Sequence, residues 1–285
     1  MAKKSKSSGQ HVSFLAHRNF LWLKISLALC VLSIIGYFKT DFDPVRNGGT
    51  WYGYTLGVLG ALIILWLSVL GVRKRAITAG HWSLKGWTSA HVYLGLSLII
   101  IATLHTGFQF GWNVHTLAYA LMIFVIVSGI VGTVFYVYLP RRMSTNRAEM
   151  GKADMLADIA SLNGLLHDAA QPLDDQYISV VQKAIAKTKI GGPIFARLAR
   201  NSKRCETRKA LTYFKTEMLS VDAETRTNIL NMISVLERKN SLLNVVRKHI
   251  RYKALLQIWL FFHIPITFGL IAALLAHIVS VFYYS

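Results

Sequence analysis

The chain has 285 residues, 53% of them hydrophobic, and a mean hydropathy of +0.41. This composition excludes an ordinary soluble domain and predicts an integral membrane protein. The formal net charge is +19, but acidic residues are interleaved with the basic ones. We therefore expect this charge to meet anionic lipid headgroups or a partner subunit, and we expect no nucleic acid partner.

Four apolar segments follow a basic tail at residues 1–18. Each is long enough to cross a hydrocarbon core of about 30 Å as a helix, so residues 19–139 are predicted to hold four spanning helices. Their predicted bounds are Phe20–Phe38, Tyr54–Val72, Thr88–Phe108 and Val114–Leu139. The first segment is not expected to be a cleaved signal peptide, because no small-residue cleavage motif follows it before Lys39.

Residues 140–253 are the only stretch with room for a soluble domain, and their apolar residues recur with a helical period. Helices are predicted over Ala153–Leu166, over Tyr177–Ile190 with Pro172 in a first helical turn, and over Asp222–Ile250, with a break at Gly191-Gly192-Pro193. The domain has no motif for a flavin, a nicotinamide or ATP. Its last helix is expected to run directly into a fifth spanning helix, Leu255–Tyr284, within residues 254–285.

Basic residues cluster on one side of this topology. The clusters are Lys3, Lys4, Lys6 and Arg18 before the first helix, Arg73, Lys74, Arg75 and Lys85 between the second and third, and Arg141 and Arg142 after the fourth. The positive-inside rule then places the N-terminus and residues 140–253 in the cytoplasm. We therefore expect a multi-pass protein of the cell's inner (cytoplasmic) membrane, with five transmembrane helices, a helical cytoplasmic insertion between the fourth and fifth, and an extracytoplasmic C-terminus.

Four histidines form two pairs with the same spacing. His91 and His105 lie in the third apolar segment, His263 and His277 lie in the fifth, and thirteen residues separate the members of each pair. Fourteen steps of about 100° end roughly 40° short of four turns, so both members of a pair face one side of their helix. They are about 21 Å apart along the axis, which is most of the hydrocarbon thickness.

The predicted topology decides which histidines face each other. One span and one cytoplasmic domain separate the third helix from the fifth, so these helices run parallel. His91 then faces His263 near the cytoplasmic side, and His105 faces His277 near the outer side. Two facing imidazole pairs can hold two flat, six-coordinate metal macrocycles, and polar residues inside a membrane are usually functional. We therefore expect the four histidines to be metal ligands.

Such ligands impose further requirements. A ligating imidazole donates its second ring N–H to an oxygen. The candidate acceptors are the carbonyls four residues back, on Trp87, Ile101, Trp259 and Ala273, with the hydroxyls of Thr267 and Ser89 nearby. A macrocycle also needs small neighbours, for which we expect Gly95, Ala102, Gly129, Gly132, Gly269, Ala272 and Ala273. His115 is expected to be an interfacial side chain, with a hydrogen bond to a cofactor carboxylate or a quinone as the alternative.

The segments HVYLGLSLIIIATLH, from His91 to His105, and HIPITFGLIAALLAH, from His263 to His277, resemble the haem-binding helices of membrane di-haem b-type cytochromes. The cytochrome b/b6 group and the ferric reductase-like group both use paired histidines at this kind of spacing. The resemblance covers about an eighth of the chain and implies two haem b. The chain departs from the first group in its large insertion and its lack of a Pro-Glu-Trp quinol motif, and from the second in its lack of a flavin domain.

Together these patterns predict a subunit that carries electrons across the membrane. We expect a quinone pool as donor or acceptor at one face and redox protein subunits at one or both faces, and any catalysis as an oxidoreductase belongs to the complex. Two other interpretations stay open. One is a proton-coupled transporter or channel that uses the intramembrane histidines as relays, and the other is a membrane anchor or sensor whose cytoplasmic helices do the work.

Overall fold

The computed structural model describes residues 14–40, 48–75, 83–144, 152–198 and 205–284, and these residues form helices with no β-strand among them. A 3-10 turn at Phe14–Ala16 precedes the α-helices. They are α1 Leu21–Lys39, α2 Trp51–Ser68, α3 Leu70–Arg75, α4 Leu84–Thr106, α5 Val114–Ser144, α6 Lys152–Ala170, α7 Asp175–Ala186, α8 Ile194–Leu198, α9 Glu206–Glu217 and α10 Ala223–Tyr284. Most of the predicted basic tail lies outside the described residues.

Within the described parts of the chain, five helical stretches are long and apolar enough to cross a membrane, which confirms the prediction of an all-helical multi-pass protein. They are Leu21–Lys39, Trp51–Lys74, Leu84–Thr106, Val114–Val137 and the apolar part of Ala223–Tyr283. The chain divides into two compact units. The first contains residues 1–137 and 259–285, and the second contains residues 138–258.

The second and third spans begin three and four residues before their predicted starts because side chains cap both helices. The Thr50 hydroxyl accepts a hydrogen bond from the Gly53 N–H at 3.1 Å, and the Ser83 hydroxyl accepts one from the Gly86 N–H at 3.1 Å. Such caps satisfy amide groups that the first helical turn leaves unpaired. Hydropathy locates the first apolar residues of a segment, whereas Thr50 and Ser83 are polar and precede them. The predicted starts were therefore late.

In the first unit, α4 packs against both α1 and α2. The Ser26 hydroxyl of α1 donates to the Tyr93 carbonyl of α4 at 2.8 Å, and the Tyr52 hydroxyl of α2 donates to the Ser33 carbonyl of α1 at 2.8 Å. Hydrogen bonds between helices and small residues at their crossings are what hold spanning helices together. This packing places α2 beside both histidines of α4.

In the second unit, α6, α7, α9 and the first part of α10 surround one core. Its fully buried members include Leu166, Phe214, Ile229, Met232 and Leu236. The sequence patterns had predicted α6, α7 and the start of α10, and the predicted continuation into the fifth span is confirmed because α10 is one helix. Cys30 and Cys205 are both free thiols.

Three predictions in this unit were wrong. Pro172 is not in a first helical turn, because α7 begins at Asp175 after Asp174. The same helix ends at Ala186, four residues before the predicted end. The sequence patterns also missed α8 and α9, and α9 buries only Thr207, Ala210 and Phe214. That stripe is too narrow to register as a helical period of apolar residues.

Lys239 is a buried lysine in the second unit, only 1% exposed. Its ammonium donates to the Ala184 carbonyl at 3.1 Å, and that carbonyl also accepts from the Thr188 hydroxyl at 2.6 Å. Burial lowers the pKa of Lys239 from 10.5 to about 8, although the nearby Cys205 opposes this shift. The folded protein therefore binds this proton less tightly than the unfolded chain does.

We expect Lys239→Met to stabilise the second unit at pH 7. Between pH 8 and 10.5 the unfolded chain holds a proton that the folded protein has released, so wild-type stability rises with pH across this window. Below pH 8 the full cost applies, and it is about 3 kcal/mol for a shift of this size. At pH 7 the free energy of unfolding of the variant should rise by most of this cost, and its stability should no longer increase between pH 8 and 10.5. The measurement is the urea concentration at which Cys205 becomes half alkylated, detected by peptide mass spectrometry at pH 7 and at pH 9.5.

Lys215→Met provides the matched control. Lys215 makes an exposed ion pair with Glu237, and such a pair contributes about 0–1 kcal/mol. The control should leave the urea midpoint and its pH dependence nearly unchanged. A Lys239→Met protein that is less stable than wild type at pH 7 would show that the buried ammonium contributes net stability.

Candidate functional site

All four predicted ligands lie in the first unit. His91 is in α4 and His105 is in its last turn, while His263 and His277 lie in the final part of α10. α4 and α10 are each helical through both of their histidines. The helical spacing that places both members of a pair on one side is therefore present in both helices.

Both histidines of α4 bond to α2 through Nδ1. His91 Nδ1 lies 3.2 Å from the Leu67 carbonyl oxygen, and His105 Nδ1 lies 2.7 Å from the Gly53 carbonyl oxygen. A carbonyl oxygen can only accept, so each Nδ1 carries the ring proton and each Nε2 keeps its lone pair. The expected acceptors on Trp87 and Ile101 were wrong, because the neighbouring helix supplies the oxygens.

His263 reaches the same tautomer by a different route. Its Nδ1 lies 2.6 Å from the Ser128 hydroxyl oxygen of α5, and that hydroxyl donates its own proton to the Val125 carbonyl at 2.8 Å. The serine has only one proton, so its oxygen must accept from His263 Nδ1. The expected acceptor on Trp259 was also wrong. Instead, the Trp259 indole N–H donates to the Ser128 carbonyl at 2.7 Å, and its ring lies 5.1 Å from the His263 ring.

His277 has a histidine as its partner. Its Nδ1 hydrogen bonds to Nδ1 of His115, the second residue of α5, and the two ring centroids are 4.4 Å apart. The Ala273 carbonyl is therefore not the partner of His277 Nδ1. His115 is an exposed residue, as expected, but its ring nitrogen is directed at a predicted ligand.

The structure brings His105 and His277 close together. Their ring centroids are 5.9 Å apart with the ring planes at 84°. Two imidazoles bonded at about 2 Å to opposite sides of one metal atom place their centroids roughly 6 Å apart. Among the described residues, no group of three or more His, Cys, Asp or Glu is arranged to hold a metal ion.

Three glycines adjoin two of the four histidines. A Cβ at Gly57 would lie 2.7 Å from His105 Cε1, and Gly53 supplies the carbonyl for the same ring. A Cβ at Gly129 would lie 3.7 Å from His263 Cε1. The sequence analysis included Gly129 but missed Gly53 and Gly57. Their signal was available, because Gly53, Gly57 and Gly60 recur on one face of an apolar helix.

Four of the six remaining predicted small residues divide into two groups. Gly132 is in direct contact with the Trp259 indole, and Gly95 faces Leu67. Gly269 has nothing within 4 Å, and Ala272 is exposed. The clearance beside the histidines therefore comes from α2 and α5 more than from α10.

The separation of the His105 and His277 rings is compatible with two axial imidazoles on one metal atom. Three of the four predicted ligands have a tautomer that leaves Nε2 free, and His277 can have the same tautomer when His115 accepts its proton.

Searches against family models, curated proteins and solved structures found no match to this chain.

Proposed function

We propose that this protein carries electrons across a membrane through two bis-histidine b haems, one held by His91 and His263 and one by His105 and His277. The observation that supports this most strongly is the set of oxygen atoms that lie beside Nδ1 of three rings. Carbonyl and serine oxygens take the Nδ1 proton of His91, His105 and His263, which leaves Nε2 of each ring able to bind a metal.

The protein's own residues would orient the ligands and separate the two sites. Gly53, Leu67 and Ser128 fix the planes of three imidazoles, and Gly57 and Gly129 give two of the rings room. The two members of each helix's pair are about 21 Å apart along the axis, so the sites would lie near opposite faces of a core of about 30 Å. A bound haem would supply a one-electron couple at each site.

The partners follow from this arrangement. We propose that a quinone pool exchanges electrons at one face and a redox protein subunit at the other, within a membrane complex. The second unit, with α6, α7, α9 and the first part of α10, suits a docking platform for such a subunit. Its longest helices carry exposed charged side chains over a well-packed core.

We expect the purified full chain to contain two non-covalent haem b. Acidic-acetone extraction followed by pyridine haemochromogen analysis should give about two haem b per chain. The visible spectrum should show a sharp reduced band typical of six-coordinate iron. A folded, colourless preparation that does not take up added hemin would overturn the proposal.

A proton-coupled transporter or channel is the second candidate, and one observation favours it. The His105, His277 and His115 rings follow one another, with neighbouring centroids 5.9 Å and 4.4 Å apart, as a proton relay requires. This candidate predicts no chromophore and predicts proton flux in proteoliposomes. The visible spectrum therefore separates the two candidates.

A further inference from the structure

The His115–His277 hydrogen bond differs from the other three ligand contacts. His91 and His105 donate to backbone carbonyls and His263 donates to a serine hydroxyl, whereas His277 meets a second imidazole nitrogen. An imidazole can donate or accept through Nδ1. Which of the two Nδ1 atoms carries the proton therefore depends on whether Nε2 of each ring is protonated or bound to a metal.

Local structure holds His115 in place. The Asn113 side-chain oxygen accepts from the Thr116 N–H at 3.0 Å, and the Thr116 hydroxyl accepts from the Gly111 N–H at 3.1 Å. These two bonds close the first turn of α5, in which His115 is the second residue. Two titratable side chains, His105 of α4 and His277 of α10, lie close enough to His115 to interact with it.

Proton accounting then fixes the role of His115. For Nε2 of His277 to bind iron, Nδ1 of the same ring must carry its proton. His115 must therefore accept through Nδ1 and hold its own proton on Nε2. An imidazole nitrogen is a stronger base than a carbonyl or hydroxyl oxygen, so it draws the shared proton further from His277. A ligand that gives up its N–H more completely becomes more basic towards the metal.

We propose that His115 is a positioning residue for the His105–His277 site, which holds His277 in the ligating tautomer and lowers the reduction potential of the haem bound there. This inference rests on the proposed function. It implies that the two haems differ in potential partly because one of the four ligands donates to an imidazole.

The test compares His115→Leu with His115→Asn in the full chain reconstituted with hemin. Leucine removes the acceptor, whereas the asparagine side-chain oxygen can take the position of Nδ1. In His115→Leu we expect the ferric-to-ferrous equilibrium of the His105–His277 haem to shift about tenfold towards ferrous iron, which is about 59 mV upward. His115→Asn should recover only part of this shift, because the amide oxygen accepts the same proton but is a weaker base than an imidazole nitrogen. Potentiometric titration with optical and electron paramagnetic resonance detection measures both haems, and the His91–His263 haem is the internal control.

Each outcome decides the inference. An unchanged potential in His115→Leu, an equal shift of both haems, or an equal shift in the leucine and asparagine variants would overturn it. If His115→Leu loses this haem, retention by His115→Asn with a potential above that of the wild type supports the inference. Loss from both variants, or an asparagine variant with the wild-type potential, overturns it. A wild-type protein that binds no haem would instead show that the proposed function has failed.

Discussion

Replacing either His91 or His263 with alanine is expected to remove one and the same haem, and replacing either His105 or His277 is expected to remove the other. A six-coordinate haem that loses one axial imidazole loses half of its protein ligands, and the remaining imidazole cannot hold it against extraction into detergent. Haem content should fall from about two to about one per chain in each variant. Redox titration should show the same surviving centre for both members of a pair.

His249→Ala is the matched control for this experiment. His249 lies in α10, fourteen residues before His263, so the substitution repeats the spacing on the same helix outside the first unit. Its Nδ1 is buried without a hydrogen bond among the described residues, so its removal should leave both haems in place and cost little stability. If His91→Ala and His277→Ala deleted one and the same centre, the pairing would be crossed and the parallel arrangement of α4 and α10 would be wrong.

That both histidines of a pair face one side of their helix could be predicted from the sequence, because this depends only on their spacing and on helix geometry. The partners of the rings could not, because all four lie on neighbouring helices, and one of them is a histidine that no period connects to His277. Gly53 and Leu67 bond to α4 through backbone carbonyls, which the residue type does not reveal. The expectation of acceptors four residues back failed for this reason, since it considered each helix without its neighbours.

The second unit shows the same division between local and tertiary information. α6 and α7 were predictable in existence because their apolar residues recur with a helical period. α9 was missed because its buried stripe includes a threonine and an alanine beside Phe214. The burial of Lys239 was also invisible, because a lysine in a charged helix normally faces water, and only the packing of α10 against α7 encloses it.

Gly57→Ala is expected to remove the haem of the His105–His277 site while leaving the His91–His263 haem in place. The added methyl group would lie 2.7 Å from His105 Cε1 and 3.0 Å from its Nδ1, closer than real side chains approach. The ring must turn or shift, which breaks its 2.7 Å contact with the Gly53 carbonyl and misdirects Nε2. Loss of such a supporting contact typically weakens metal binding by about 10–100-fold. Hemin titration of the full chain, with the occupancy of each centre read by redox titration, measures the effect.

Gly60→Ala separates this steric effect from the general effect of replacing glycine in α2. Gly60 lies on the same face of the helix, but its added methyl group would meet Leu98 and Ile101 at 3.9 Å and 4.0 Å, which are ordinary contacts. Both substitutions remove the flexibility of a helical glycine, which favours the folded helix by roughly 0.5–1 kcal/mol. Gly60→Ala should therefore keep both haems and raise thermal stability slightly. Equal haem loss from both variants would mean that α2 needs glycine for helix packing, and full retention in Gly57→Ala would mean that His105 does not depend on the position of α2.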